Sequence, residues 1–134
     1  MDILKEYGNM AVAFVVGCLA WMFGAWDIML QVLVAFIIID YVTGVMVAMA
    51  EKKLSSRCGY KGILKKVGIL ICVCIAVLTD RMLGTEALRV AIILVFVGNE
   101  GISILENVAK LGVPIPQKLL DALLQLKGND NKGT

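Results

Sequence analysis

The chain has 134 residues, enough for one compact unit. Hydrophobic residues make up 60% of it, against about 45–50% in a soluble domain, so a water-soluble globule of this size would carry apolar surface it could not cover. A net charge of +2 speaks against a nucleic-acid-binding module, and the absence of histidine removes the commonest general base and metal ligand.

The first nine residues, MDILKEYGN, are short and mixed in charge, and lack the basic stretch and small-residue cleavage site of a signal peptide. Met10–Trp26 is the first apolar run. At 1.5 Å per residue it covers about 25 Å, so it either spans a thinned bilayer or lies along the interface. Ala13, Gly17, Ala20 and Gly24 recur on one helical face, a stripe that suits close helix packing or simply reflects an Ala/Gly-rich helix. Ile28–Ala50 is the strongest span, about 34 Å long by the same rise. Its exceptional residue is Asp40, which shares a face with Thr43, Gly44 and Ala48. An ionised acid at the bilayer centre costs about 2.5–3.5 kcal/mol, so this face is expected against another helix or water, in a structural or a pore-related role.

Glu51–Lys66 is the one dense basic segment, with Lys52, Lys53, Arg57, Lys61, Lys65 and Lys66. Ser55, Ser56, Gly59 and Gly62 supply turn chemistry, so the segment reads as a solvated loop that sets topology and meets anionic headgroups. Ile63–Thr79 is the third span, with Lys65 and Lys66 snorkelling at one end and Asp80 and Arg81 closing the other.

Ala87–Asn107 is the fourth span and carries a polar stripe. With Asn99 at zero and 100° per residue, Arg89, Glu100, Ser103, Glu106, Asn107 and Lys110 fall within an arc of about 120°. Such a stripe must line water, pack against protein in an oligomer or a bundle, or lie at the interface. Pro114 and Pro116 end that helix, and Gln117–Lys127 is a short amphipathic helix suited to the membrane surface or to self-association. Residues 128–134 read as a disordered tail. The cysteines, Cys18, Cys58, Cys72 and Cys74, lack metal spacing, and neither a disulfide nor a metal site is expected.

The expected fold is therefore an all-α membrane protein with three to four transmembrane helices plus a short C-terminal amphipathic helix, in one domain over residues 1–127. Of the 13 Lys and Arg residues, a four-span topology puts all but Arg81 and Arg89 on the side of the basic loop and the two termini, which places that side in the cytoplasm.

Two sets of residues carry a family likeness. One is Asp40-Tyr41-Val42-Thr43-Gly44 with Glu51–Ser56 and Gly62–Lys66; the other is Asn99–Asn107 with Pro114-Ile115-Pro116 and Leu119. Together they resemble the toxin-secretion/phage-lysis holin family of Gram-positive bacteria and their phages, over roughly residues 30–127. The resemblance implies a protein of the bacterial cytoplasmic membrane that homo-oligomerises among lipids and opens lesions. These release an endolysin or a secreted toxin, without necessary direct contact. It implies no catalytic residues, no cofactor and no nucleic acid, and its recurrent polar positions match Asp40, Asn99, Glu100, Ser103, Glu106 and Asn107. The competing classes are a small ion channel or transporter and an antiholin-type partner. The sequence offers no nucleophile–base pair that would make it an enzyme.

Overall fold

The computed structural model describes residues 1–128 of the chain. Five helices follow one another: α1 (Asp2–Phe23), α2 (Ile28–Ala50), α3 (Ser56–Leu83), α4 (Ala87–Lys110) and α5 (Gln117–Lys127). The first four are long and apolar enough to cross a membrane. The all-helical expectation therefore holds, and α1 has the length and hydropathy of a span rather than of a short interfacial helix. The tail, past Gly128, lies outside the described residues.

Local chemistry sets the boundaries. Asp27 caps α2, its Oδ1 accepting from the Leu30 amide at 3.0 Å. Gly24, at φ +78°, ends α1 and turns the chain within four residues. The α3–α4 turn is built on Asp80, which is 3% exposed. Its carboxylate accepts from Thr85 Oγ1 (2.7 Å) and from the amides of Leu88 (3.1 Å) and Arg89 (2.7 Å), capping α4 from the preceding helix.

Two helix starts differ from the sequence expectation, and three ends move by three or four residues: α1 stops at Phe23, α3 runs on to Leu83 and α4 to Lys110. α1 begins at Asp2 rather than Met10, because hydropathy marks where a helix becomes apolar and not where its hydrogen bonding starts. The basic segment is a loop only from Glu51 to Ser55. Ser55 caps α3 by accepting from the Cys58 amide, so Arg57, Lys61, Lys65 and Lys66 stand on a helix. Gly59 and Gly62 are not turn residues; they make room for the ring of Tyr41, whose atoms lie 3.3–3.4 Å from where a Cβ would stand.

α4 is the hub, packing on α2, α3 and α5. Leu30, Leu33 and Ile37 of α2, Ile69, Val73 and Val77 of α3, and Ile93 and Val97 of α4 form the buried apolar core, with Leu33, Val73 and Ile93 fully enclosed. α1 packs along α3, with its last residue Phe23 also meeting Arg89 of α4, and it buries none of its residues. Nothing stands within 4 Å of a Cβ at Gly17, and Ala13 is exposed, so this half of the small-residue stripe is not used for packing within the chain. Gly24 instead lies against the Arg89 side chain, and Gly44 against Asn107.

α5 folds back on α4 rather than lying apart from the bundle. Gly112 (φ +92°) and the two prolines reverse the chain. Gly98 and Gly101 then give α5 its seat: a Cβ on Gly98 would stand 2.8 Å from the Lys127 backbone nitrogen, and one on Gly101 would stand 2.7 Å from Leu123. Leu123 is the buried residue of α5. The polar stripe of α4 is therefore flanked on one side by a second amphipathic helix that reaches back to the level of Gly98.

Candidate functional site

Two polar layers cross the helix bundle. The first lies at the end that holds the α1–α2 and α3–α4 turns. Arg89 joins these turns: its Nε donates to the Phe23 carbonyl (3.0 Å), Nη2 to the Ala25 carbonyl (2.8 Å), and Nη1 to Asp27 Oδ2 (2.7 Å). Arg81 adds a cation–π contact, its guanidinium 4.6 Å from the Trp21 ring centre. The sequence put Arg89 on the pore-facing stripe by its helical angle. The structure corrects this: Arg89 stands in the first turn of α4, far along the helix from the other stripe residues, and its donors are used by the end of α1 and the α1–α2 turn.

The Arg89 guanidinium holds the Asp27 carboxyl below the ordinary carboxylate range. A depressed carboxyl stabilises the fold above its unfolded pKa, and that contribution is lost as pH falls through the lower, folded value. Acidifying detergent-solubilised protein below the usual value of 3.8 should therefore loosen the α1–α2 turn. Hydrogen exchange at residues 24–30 is expected to rise with acid in the wild type, and to be high and flat with pH in Asp27→Asn.

The second layer is the candidate functional site. The Lys66 ammonium donates to Asp40 Oδ2 and to Glu100 Oε2, joining α2, α3 and α4. Glu100 is 3% exposed, and the Lys66 and Asp40 side chains are each 12% exposed. Asn107 completes the layer, its Nδ2 donating to Asp40 Oδ1 (3.2 Å), the Asp40 carbonyl (3.4 Å) and Thr43 Oγ1 (3.1 Å). The depth follows from counting along each helix from the Arg89 layer. Asp27 to Asp40, Asp80 to Lys66 and Arg89 to Glu100 are about 20, 21 and 16 Å of helix. All three charges thus stand well inside the ends of the membrane-spanning helices.

This placement corrects the reading of Lys66 as a headgroup-facing loop residue. Arg57, Lys61 and Lys65 are exposed and share one face of α3, whereas Lys66 lies about 180° from Arg57, on the face of Val73 and Val77. That phase was available in the sequence once α3 is started at its Ser55 cap. An acid in lipid needs a partner, and Lys66 supplies one ammonium shared between two carboxyl groups.

The remaining α4 stripe residues divide by neighbour. Glu106 and Lys110 are exposed, and Asn99 and Ser103 are half-buried. A cleft of about 310 Å³ between α3 and α5 is lined by Lys65, Asn99, Glu100, Ser103, Glu106 and Lys127. A second cavity of about 300 Å³, between α2 and α3, reaches Asp40, Lys66, Ser103 and Asn107. The Lys66 ion bridges therefore stand between two polar cavities. Lys52 and Lys53 remain on the Glu51–Ser55 loop, where Lys53 pairs with Glu51 at 3.7 Å; Ala48 lines the second cavity. Among the described residues, no group of three His, Cys, Asp or Glu side chains could hold a metal ion.

The sequence has relatives among known proteins. The bacteriophage holin family matches residues 17–128. The chain belongs to that family. A probable holin of Bacillus phage phi105 is 33% identical over 106 residues, 78% of each chain. A 14.9 kDa protein encoded in the region 3′ of nagH in Clostridium perfringens is 46% identical over 128 residues, covering 94% of this chain and 97% of that one. A Listeria monocytogenes protein is 38% identical over 125 residues, 92% of this chain and 87% of its own length. No solved structure matches. Holin-family membership and the four apolar helices together make this a membrane protein. In this chain, the family match includes all of α2 to α5 and the last third of α1, so both polar layers fall within it.

Proposed function

We propose that the protein is a working holin: copies accumulate in the bacterial cytoplasmic membrane, associate, and open lesions through which an endolysin or a secreted toxin leaves the cytoplasm. The observation that carries this reading is the charged layer formed by Asp40, Lys66 and Glu100 within the helix bundle, on a chain of this family. In one copy Lys66 already partners both acids of the layer, while the exposed stripe residues Glu106 and Lys110 lack an ion-pair partner among the described residues. Lipid satisfies none of these groups. Neighbouring copies do, by turning their stripes toward a shared, wet lumen. Association thus converts a concentration in the membrane into an opening.

The proposed topology puts the Glu51–Ser55 loop and both termini in the cytoplasm, since Lys5, Lys52, Lys53, Arg57, Lys61, Lys65, Lys110 and Lys118 lie toward that end, against Arg81 and Arg89 toward the other. The family role requires no catalysis and no cofactor.

The test is induced expression in a bacterium with and without a cytoplasmic endolysin. The expected outcome is abrupt lysis when both are present, and loss of viability with little lysis for the chain alone. Selective ion currents with no release of endolysin would replace this reading with that of a channel. Delayed lysis on co-expression with a second holin, with no toxicity alone, would mark an antiholin.

A further inference from the structure

The α4 stripe is polar along one half of the helix only, and the two polar cavities follow that half. The cleft between α3 and α5 runs from Glu106 to Asn99 and stops at Phe96; the cavity between α2 and α3 stops at Asp40. Beyond Asn99, toward the Arg89 layer, the inner face of α4 is closed: Ile93 is 0% exposed, and Val97 packs with it against Leu33 and Val73. Asn99 is about 15 Å of helix from Arg89. The chain therefore has a polar half with an open cleft and an apolar half closed at the layer around Ile93, beyond which a separate cavity of about 430 Å³ opens at the Arg89 end.

Either water or acyl chains fill the open cleft in a bilayer. Acyl chains would leave Asn99, Glu106, Lys65 and Lys127 facing hydrocarbon, at several kcal/mol for each unsatisfied group. At about 30 Å³ per molecule, the cleft has room for about ten waters, and each would find polar partners on the stripe.

We infer that a single closed subunit already carries a water-filled vestibule, entered from the cytoplasm, that ends at Asn99 and is sealed by the apolar packing around Ile93. The α5 helix is its outer wall, held at Gly98 and Gly101. Assembly then has to part the apolar half alone, because the polar half is hydrated beforehand. The inference rests on the proposed orientation, with the Glu51–Ser55 loop in the cytoplasm.

The test is thiol labelling with a charged, membrane-impermeant methanethiosulfonate on inverted membrane vesicles containing the full chain. Cys58, exposed at the mouth of the α2–α3 cavity, is first replaced by serine, and the slow labelling of Cys18, Cys72 and Cys74 sets the background. Single cysteines are then placed at Asn99 and Ser103 in the cleft, at Ile93 in the seal, and at Ile71. Ile71 is exposed on the outer face of α3 and lies about 14 Å of helix from Asp80, nearly the depth of Asn99. Asn99→Cys and Ser103→Cys are expected to label at least about tenfold faster than Ile71→Cys and Ile93→Cys, since the reactive thiolate forms in water and is suppressed in hydrocarbon. Ile102→Cys, which lines the same cleft without removing a polar group, is expected to behave like Ser103→Cys and keeps the test decisive if a stripe variant fails to insert.

Equal rates at cleft and lipid-facing positions would overturn the vestibule. So would fast labelling of the cleft from the opposite side in right-side-out vesicles. Lysis is not the readout, so a chain that releases endolysin but shows no labelling difference contradicts the vestibule and leaves the holin reading standing.

Discussion

Replacing Lys66 by methionine is expected to destabilise the fold by about 3–5 kcal/mol, the range seen when one partner of a buried ion pair is removed. Methionine keeps much of the volume and removes the charge. Asp40 and Glu100 would then face one gap between α2, α3 and α4 with no cation. The expected readouts are a lower melting temperature in detergent and loss of chain from the membrane fraction at equal synthesis. The decisive comparison is the triple change Lys66→Met, Asp40→Asn and Glu100→Gln. It removes all three charges, and should recover most of the lost stability, because an uncharged layer of similar shape often equals or exceeds a buried ion triad. A triple variant no better than Lys66→Met alone would mean that Lys66 acts through packing rather than charge.

The second large effect is expected at Gly98. A Cβ there meets backbone atoms of α5, the Leu123 carbonyl oxygen at 2.9 Å and the Lys127 nitrogen at 2.8 Å, and neither can swing away as a side-chain tip can. Gly98→Val should cost about 1–3 kcal/mol in local packing and lift α5 from its seat. Hydrogen exchange over residues 117–127 should then rise toward that of an isolated short helix, while α2 and α3 stay protected. Gly101→Ala is the milder companion. Its Cβ meets the Leu123 side-chain methyls, which can shift, so α5 should stay docked. If Gly98→Val leaves residues 117–127 as protected as before, α5 is not held where the structure puts it.

The helices themselves were legible in the sequence because burial in lipid imposes a strong compositional signal. The long apolar runs gave α2 and the start of α4 to the residue, and the proline pair gave the break before α5. Where hydropathy and hydrogen bonding diverge, the signal failed: α1 starts eight residues before its apolar run, and α3 starts seven residues before its own, at a serine cap. The candidate site was half legible. Asp40 and Glu100 stand out as acids inside apolar runs, but their partner does not, since Lys66 looks like the last member of a basic run. Its separation from Arg57, Lys61 and Lys65 is a matter of helical phase, which needs the correct helix start. Arg89 shows the opposite error. A helical angle fixes a side but not a depth, and at its depth the carbonyls of Phe23 and Ala25 were the nearer partners. The docking of α5 turns on two glycines, Gly98 and Gly101, that have no polar or apolar label and so do not register in a hydropathy pattern.

Glu100 holds Lys66, so removing it confounds folding with permeation. Glu106 lies on the same stripe, is exposed, and makes no ion pair among the described residues. The most direct measurement is the timing of endolysin release from cells carrying Glu106→Leu or the double change Asn99→Leu and Glu106→Leu, with membrane levels matched to wild type by immunoblot. If the α4 stripe lines the lesion, release should be delayed in the single variant and abolished in the double one. Release on the wild-type schedule in both would show that the polar face of α4 does not line the opening.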